Sequence, residues 1–473
     1  MTRPRRTRTA AVLAAFAMTG CANLSPDPAF EEVAAVVNER SGLRIHWNQG
    51  TDEDARVAAA VDALLSKELT ADTAVQIALL NNPSLQATYA SLGVAQADLV
   101  QAGLMRNPIF DTVLRFPESG GPVSWDIGLA FEFLSLFTLP LRKKVAESEF
   151  EAARIRVAGA VLDHAVETRT AFYGYQAAMQ SAEMLRQVAA STQASHQLSK
   201  QLREAGNITA LALAQSRGMA EQARIDLADA EAATMAAREE LNIFMGLWGP
   251  QTVWKAANRL PALPSAEIDL DKVESRAVER SLDLALARQN LVTLGRQYRL
   301  TKATSLVPDF EVGVEAERGD RMWETGPGVS FALPLFDQGQ ARTAAAKAAI
   351  SGAQNEYEAL AVRVRTQTRA VHRNLLSSRQ KAAYYEEVIL PLRQRIVAET
   401  LLHYNAMQLD TFQLLLAKQQ QIDAGRRHIQ SLYDYWVARS NLEQILSGRM
   451  PPERAGAMAA QFTPQMQAQK GGH

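Results

Sequence analysis

The chain has 473 residues, of which 47% are hydrophobic and 21% charged, with 50 Lys and Arg against 51 Asp and Glu. This composition excludes a disordered chain, and the balanced charge gives no basic face for a nucleic-acid partner. Aromatic residues make up only 7%. The abundance of Ala, Leu, Gln, Glu and Arg favours long helices, because these residues lose little conformational freedom in a helix.

The first residues have the pattern of an export signal. Four arginines precede an apolar stretch at 10–18, which is too short to span a bilayer. The stretch leads into Met18-Thr19-Gly20-Cys21, which resembles the bacterial lipobox, in which the cysteine becomes the lipid-modified first residue. We therefore predict cleavage after Gly20, lipidation of Cys21 (palmitate) and, from Ala22, sorting to the outer membrane. An ordinary signal peptide with a chance cysteine is the alternative.

The rest of the sequence shows no chemistry of catalysis. Cys21 is the only cysteine, so neither an internal disulfide nor a thiolate metal site can form. The sequence contains no nucleotide-binding loop, zinc-protease motif or nucleophile elbow. Its seven histidines are scattered, among them His164, His196, His372, His403 and His428. We therefore predict no enzymatic activity, no metal site and no bound cofactor.

After residue 68 the chain repeats one order of elements, at an offset of roughly 200 residues. Each copy predicts a helix, a β-hairpin and a long antiparallel helical hairpin. The paired landmarks are Pro83-Ser84-Leu85 with Leu282-Asp283-Leu284, Asn107-Pro108 with Val307-Pro308, and the Leu-Pro-Leu runs at 139–141 and 333–335. The predicted segments are a signal peptide (1–20), a lipidated N-terminal segment (21–68), repeat 1 (69–247, with its β-hairpin at 108–133 and helical hairpin at 142–247), a linker or equatorial segment (248–267), repeat 2 (268–447, with its β-hairpin at 308–333 and helical hairpin at 340–447) and a flexible C-terminal tail (448–473).

The longest helices are predicted to be rods. From residue 142 to 205 there is no proline, and apolar or small residues recur at steps of three and four, which marks one helical face. Sixty-odd residues at ~1.5 Å each give a length near 100 Å. In the second copy, Pro391 predicts a kink or a break. Polar turns should form the tips, at Gly206 and Asn207 in the first copy and at Met407 in the second.

The segments between the helices alternate with a period of two. In the strand from Val123 to Phe133 one face is apolar and aromatic and the other is small or acidic, and the strand from Asp309 alternates likewise. About eleven residues suffice for a tilted strand to cross a bilayer, and this alternation is typical of a membrane barrel. No run of about 20 apolar residues follows the signal, so a membrane crossing has to use strands. A soluble two-layer sheet would alternate in the same way.

Two hairpins give only four strands per chain, too few to close a barrel. Open strand edges facing lipid would leave amide groups unsatisfied. A membrane-spanning form must therefore be oligomeric, although the residues alone leave the number of subunits open.

The lipobox, the duplicated units, the junction motifs and the long helices together resemble the TolC-like outer-membrane efflux family, from about residue 69 to 446. The resemblance implies a mainly helical fold with membrane β-structure: a homotrimer with a 12-stranded β-barrel and a periplasmic α-helical barrel. It implies a lipoprotein anchored in the outer membrane, with a periplasmic adaptor protein and an inner-membrane RND-type pump as partners. The function implied is an exit duct for small solutes such as metal ions or drugs, with a slight preference for heavy-metal efflux.

The resemblance also directs attention to the tips of the helical hairpins, where acidic rings in such channels select or gate cations. Asp410 and Glu204 are the candidates in this chain, and a helix N-cap and a solvated surface charge are their respective alternative roles. Family members often carry Gly at both tips, a pattern that Gly206 fits and Met407 does not.

Two other classes of protein remain open. A periplasmic adaptor lipoprotein also carries a helical hairpin, but it has one hairpin among soluble β-domains rather than two copies with membrane-length strands. A soluble periplasmic coiled-coil scaffold would use the helices alone.

Overall fold

The computed structural model describes residues 26–452, except 117, 119–122, 269–270, 306–309, 320–321, 407 and 410. Cys21, Met407, Asp410 and the sequence from 453 onward therefore lie outside the described residues. Most of the described chain is helical, and its strands form one four-stranded and one two-stranded sheet.

The elements follow one another in two similar series. In the first series they are α1 (Asp27–Ser41), α2 (Asp52–Leu65), β1 (Glu68–Leu69), α3 (Ala71–Asn81), α4 (Pro83–Ala102), β2 (Ile109–Arg115), β3 (Ser124–Glu132), α5 (Leu134–Glu204) and α6 (Ala210–Met245). In the second they are a 3₁₀ turn (Gly249–Thr252), β4 (Lys255–Ala256), α7 (Val273–Arg280), α8 (Leu282–Thr304), β5 (Phe310–Gly319), β6 (Met322–Phe331), α9 (Gln340–Tyr384), a π-turn (Tyr385–Ile389), α10 (Leu390–Asn405) and α11 (Thr411–Ser447).

Helix α5 is a rod of 71 residues, about 107 Å long at 1.5 Å per residue. It begins at Leu134 and includes Pro140, whereas the sequence predicted the helical hairpin to start at 142. Hydroxyl groups stabilise this early turn: Ser135 Oγ donates to a backbone carbonyl at 2.6 Å and Thr138 Oγ1 donates to another at 3.2 Å. Because Ser135 and Thr138 are buried, packing keeps the segment helical although Pro140 removes one backbone donor.

The rod of the second copy changes its winding close to Pro391. Helix α9 passes into the π-turn, and α10 starts directly after it. Proline has no amide hydrogen, and the wider π-turn ahead of it accommodates the missing helical hydrogen bond. The predicted kink or break is therefore a local change of helical winding rather than the end of the rod.

A junction stacks the start of α4 on the end of α6. Gly246, which follows α6, has a φ of +67°. Asn82 caps both helices: its Oδ1 accepts from two amides at the start of α4, at 2.7 and 3.3 Å, and its Nδ2 donates to two carbonyls at the end of α6, at 3.0 and 2.8 Å. These bonds satisfy groups that helix ends otherwise leave unpaired. The two helices therefore form one composite rod beside α5.

The second copy has the corresponding junction between α11 and α8, built with charged side chains. Gly448 has a φ of +105°, and its carbonyl accepts from the amide of Leu282 at 2.8 Å. Arg449 Nε donates to both carboxylate oxygens of Asp163 on α5, at 3.1 and 3.0 Å, and its guanidinium also pairs with Asp283. Burial raises the pKa of Asp283, although the guanidinium of Arg449 acts in the opposite direction.

Removing the guanidinium from this second junction should destabilise the helical body. Arg449→Met leaves two mostly buried carboxylates without their counter-ion, and we expect a loss of about 2–3 kcal/mol, less than for a fully buried pair. The thermal unfolding midpoint measures the loss, and Arg373→Met, at an exposed position, is the control. Adding Asp163→Asn and Asp283→Asn to Arg449→Met should restore part of the stability. If Arg449→Met and Arg373→Met had the same thermal unfolding midpoint, the second junction would not contribute to stability.

Two segments expected to be loosely attached are packed against the helices. In the linker, β4 pairs in parallel with β1, and the buried Trp254 donates from Nε1 to Asn242 Oδ1 at 2.8 Å. At the start of the predicted flexible tail, Gln367 donates to the carbonyl of Pro451 at 3.1 Å, beside the pairs of Arg449. The first residues of the predicted flexible tail, 448–451, are therefore hydrogen-bonded to the helices.

Candidate channel wall and hairpin tips

The four longer strands form one antiparallel sheet in the order β2–β3–β5–β6, which we call the wall. Strands β3 and β5 pair across the two copies, from Trp125 opposite Arg318 to Glu132 opposite Glu311. The two predicted β-hairpins are therefore one continuous surface. Among the described residues, no further strand of this chain lies beside β2 or β6, so the wall has two open edges.

One face of the wall is apolar and exposed. The register aligns Phe110, Leu129, Val314 and Pro327 across the four strands, so these side chains share a face. In the single chain Leu129 is 51% exposed and Val314 58%. A contiguous apolar surface of this kind marks contact with lipid or with another chain.

Aromatic rings border the apolar face at both ends. At the helical end, the ring centroids of Phe133 and Phe137 lie 5.4 Å apart. At the turn end, Trp125 and Trp323 occupy aligned positions on the same face, and the guanidinium carbon of Arg318 lies 5.9 Å from the Trp323 ring. Aromatic girdles at the two interfaces are typical of strands that cross a bilayer.

The opposite face carries the acidic side chains of the wall. It presents seven carboxylates: Asp111, Asp126, Glu132, Glu311, Glu315, Glu317 and Glu324. Asp126, Glu317 and Glu324 stand directly opposite one another on three neighbouring strands, an unfavourable arrangement for like charges. Arg115 offsets part of the repulsion, with Nη2 2.7 Å from Asp126 and Nη1 3.9 Å from Glu317.

Glycines occupy the centre of this acidic face. Gly128, Gly313, Gly326 and Gly328 share it by register. A methyl group on Gly313 would lie 2.8 Å from the backbone oxygen of Leu129, which leaves no room for a larger residue. Glycine inside a strand is typical of close backbone approach and of a tight bend. The acidic face is therefore suited to be the concave side of a curved wall.

The first helical hairpin ends in a Schellman turn. Gly206 has a φ of +78°, its amide donates to the carbonyl of Arg203 at 3.0 Å, and the amide of Asn207 donates to a carbonyl five residues back at 2.8 Å, the pattern of that motif. Thr209 then caps α6 by accepting from an amide at 3.1 Å. Glu204, one of the two candidate tip acids, is the exposed last residue of α5.

The second tip is built differently. The amide of Gln408 donates to the carbonyl of His403 at 3.0 Å, and His403 Nδ1 lies 2.6 Å from Gln408 Oε1. Helix α11 begins at residue 411, immediately after Asp410. Because Met407 and Asp410 are outside the described residues, the structure places only Glu204 of the two candidate acids.

The two hairpins contact each other about midway along α6 and α11, a feature that the sequence did not indicate. Asp226 of α6 pairs with Arg426 of α11, and the two residues occupy nearly equivalent positions in the repeats. Beside this pair lies a groove of about 490 Å³ lined partly by Met219, Phe412 and Leu416. The ion pair bridges the two copies across the sides of their hairpins.

No helix in the described part of the chain combines the length and apolarity that a membrane span requires. Within the same residues, no three His, Cys, Asp or Glu side chains are grouped so that they could hold a metal ion.

Comparisons with known proteins agree with this architecture. A model of the outer membrane efflux protein family matches residues 74–247. The chain is 23% identical over 389 residues to the cobalt-zinc-cadmium resistance protein CzcC of Cupriavidus metallidurans, which covers 80% of this chain and 90% of CzcC. It is 25% identical over 363 residues to the outer membrane protein OprJ of Pseudomonas aeruginosa, over 70% of this chain and 72% of OprJ.

The fold matches that of solved channels. A crystal structure of CusC, described with conformational changes during folding and transmembrane channel formation, superposes with a TM-score of 0.67 at 15% identity, over 81% of this chain and 93% of CusC. The resemblance in fold to TolC-like proteins is thereby confirmed. Residues 74–247 match the model of the outer membrane efflux protein family, and the described chain has the fold of the solved channels.

Proposed function

We propose that three copies of this chain form the exit duct of a tripartite efflux system. Three walls would close into a 12-stranded β-barrel in the outer membrane, and the helical hairpins would extend it as a tunnel into the periplasm. The observation that carries the proposal is the two-faced wall, which is apolar and girdled by aromatic rings on one side and acidic on the other. Those faces suit lipid outside and water inside.

The open edges of the wall support an oligomer. Unpaired strand edges cannot face hydrocarbon, because their amide and carbonyl groups would lack partners. Four strands cannot curl into a closed barrel, so β6 of one subunit would pair with β2 of the next.

The position of α1 supports a lipid anchor on Cys21. Glu32 pairs with Arg154, and Arg40 reaches the second junction, so α1 runs away from the wall along α5. Asp27 then lies ~22 Å from the start of α5, at 1.5 Å per residue. The six residues from Cys21 to Asp27 extend at most ~20 Å. If fully extended, this segment would bring an acylated Cys21 to within a few ångströms of the helical end of the wall.

The acidic inner face supports cations as the transported class. Seven carboxylates per chain would give the duct a negative lumen, and CzcC, a relative, is named for resistance to cobalt, zinc and cadmium. We therefore place metal cations ahead of drugs as cargo, with Glu204 and Asp410 as candidate selective residues at the tips. An RND-type pump and a periplasmic adaptor would deliver the cargo. Deleting the gene should sensitise cells to zinc, cobalt or cadmium more than to drugs, and the reverse pattern would reject this assignment.

A charge placed on the apolar face tests the duct itself. Leu129→Arg should abolish the trimer and its conductance in planar bilayers, because an arginine facing lipid costs about 2–4 kcal/mol in each subunit. Ser330→Arg, on the acidic face, is the matched control and should leave the trimer assembled. Heat-modifiable migration of the outer-membrane protein reports the trimer. A stable monomer with its apolar strand face covered by its own helices would end the proposal.

A further inference from the structure

A band of positive charge lies where the wall meets the helices. Three of the four stretches that join the wall to the helices, at 103–107, 133–146 and 297–305, contain no acidic residue, and the fourth, at 332–339, carries Asp337. Their cations form what we call the basic collar, which comprises Arg106, Arg142, Lys143, Lys144, Arg299 and Lys302. The whole chain has a net charge of −1, so the collar is a local concentration of charge.

The contacts between helices place these stretches at one level. Arg296 of α8 donates to the backbone carbonyl of Lys144 on α5, and Gln289 of α8 donates to that of Ser148 at 3.0 Å. The two helices are therefore antiparallel, so Arg299 and Lys302 lie towards the wall from Arg296.

The collar directly adjoins the aromatic girdle. Phe137 is 66% exposed and packs against Phe133 at the helical end of the wall. Lys144 follows Phe137 by seven residues, which is two helical turns, so both side chains point from the same face of α5. Lys144 therefore lies ~10 Å from Phe137 along the helix axis. Near a bilayer, long lysine side chains extend towards the headgroup layer.

Part of the collar lacks partners within the protein. Arg142 Nε and Nη2 are buried and donate to no acceptor in the described part of the chain. Arg142 lines an open cavity of about 490 Å³ together with Asp98, Gln101, Arg106 and Asn107. Arg106 pairs with Glu132, whereas Lys143, Lys144 and Arg299 are exposed.

We propose that the basic collar binds the phosphate groups of anionic phospholipids in the membrane leaflet that adjoins the helices. The inference rests on the proposed membrane-spanning wall, which sets the depth of the collar. An anionic phospholipid fits both the charge of the collar and its position next to the apolar face. Its acyl chains would contact the aromatic girdle, and its anionic headgroup would contact the cations ~10 Å further along the helices. Arginine and lysine side chains at such a boundary attract anionic headgroups.

Native mass spectrometry of the full-length trimer in detergent tests the collar. The trimer is incubated with equal amounts of phosphatidylglycerol and phosphatidylcholine that carry identical acyl chains. We expect retained phosphatidylglycerol to exceed phosphatidylcholine at least about fivefold, since several charges act together. Lys143→Gln/Lys144→Gln/Arg299→Gln changes only exposed side chains and should bring that ratio close to one.

The control removes three exposed cations from the tip end of the helices, in Lys200→Gln/Arg217→Gln/Arg395→Gln, and should keep the wild-type ratio. A wild-type ratio of one, or an equal fall in both triple variants, would overturn the inference. Conductance of the wild-type trimer in pure phosphatidylcholine bilayers separates this result from the proposed function. A conducting trimer without lipid preference rejects only the collar, whereas absence of any trimer rejects the duct as well.

Discussion

Gly246→Ala should prevent α4 from stacking on α6 and sharply reduce the yield of folded protein. A methyl group at this position would lie 2.8 Å from the Cα of Asn82 and from the Cδ of Pro83, and 3.0 Å from the carbonyl oxygen of Asn81. All three atoms belong to or adjoin the backbone at the junction, so none can swing aside as a flexible side chain would. The junction has to open for the methyl group to fit.

The effect combines two terms of different origin. The φ of +67° disfavours any residue with a Cβ by about 1–2 kcal/mol, and the steric conflict adds about 1–3 kcal/mol. We expect a total loss of about 3–4 kcal/mol, the sum of mid-range values of these terms. Separation of α4 from α6 would also displace β2, which follows α4 in the chain, so the wall should be affected as well.

Gly206→Ala is the matched control for this prediction. Gly206 has a similar φ of +78°, but a methyl group there would meet no atom within 4 Å. It should therefore lose only the conformational term of about 1–2 kcal/mol. Thermal unfolding midpoints of the two purified variants provide the comparison. If Gly206→Ala were as destabilising as Gly246→Ala, the conformational term alone would explain both losses and the close contact at the junction would be irrelevant.

Glu317→Gln/Glu324→Gln should reduce the preference of the reconstituted channel for cations over anions several-fold. The two carboxylates face each other across β5 and β6, so a trimer would lose six negative charges at one level of its lumen. A charge ~8 Å from a permeating ion contributes about 0.5 kcal/mol in water. The loss of several such terms changes the ion permeability ratio several-fold, because each 1.4 kcal/mol corresponds to a factor of ten.

Reversal potentials in a salt gradient across a planar bilayer measure the ratio. The difference between wild type and variant should shrink as the salt concentration approaches 1 M, because screening then acts within ~3 Å. Asp52→Asn/Glu53→Gln removes two exposed carboxylates from α2, on the helical body, and should leave the ratio unchanged. Unchanged selectivity in Glu317→Gln/Glu324→Gln at low salt would mean that these side chains do not line the conducting path.

Local patterns account for much of the fold. Period-two alternation indicated which side chains of β3 share a face, and the absence of proline over 142–205 indicated a very long helix, since each pattern reflects local geometry. The junctions were not predicted, because Asn82 precedes a proline at an apparently ordinary helix start. Its second set of hydrogen bonds goes to carbonyls of residues 243 and 244, and sequence spacing does not reveal that contact.

The sequence predicted which types of residue alternate along the strands, but not how the strands align beside one another. Alternation suggested a small or acidic face on β3 and on β5, yet the alignment of Asp126 with Glu317 depends on the pairing of these two strands, which lie nearly 200 residues apart. The same holds for the pair formed by Asp226 and Arg426. Long-range register follows from packing of the whole chain, whereas the hydrophobic period depends only on neighbouring residues.

The two edges of the wall belong to different halves of the chain, which has a consequence for assembly. Joining β6 of one subunit to β2 of another is a head-to-tail contact, which uses two different surfaces. Two joined subunits would still expose one β2 edge and one β6 edge, as many unpaired edges as a lone subunit. Only the last subunit eliminates both at once, so association should be all-or-none, with free chains and closed rings in equilibrium and hardly any dimers. Confinement of the chains to a membrane surface would then favour ring closure by raising the frequency of their encounters.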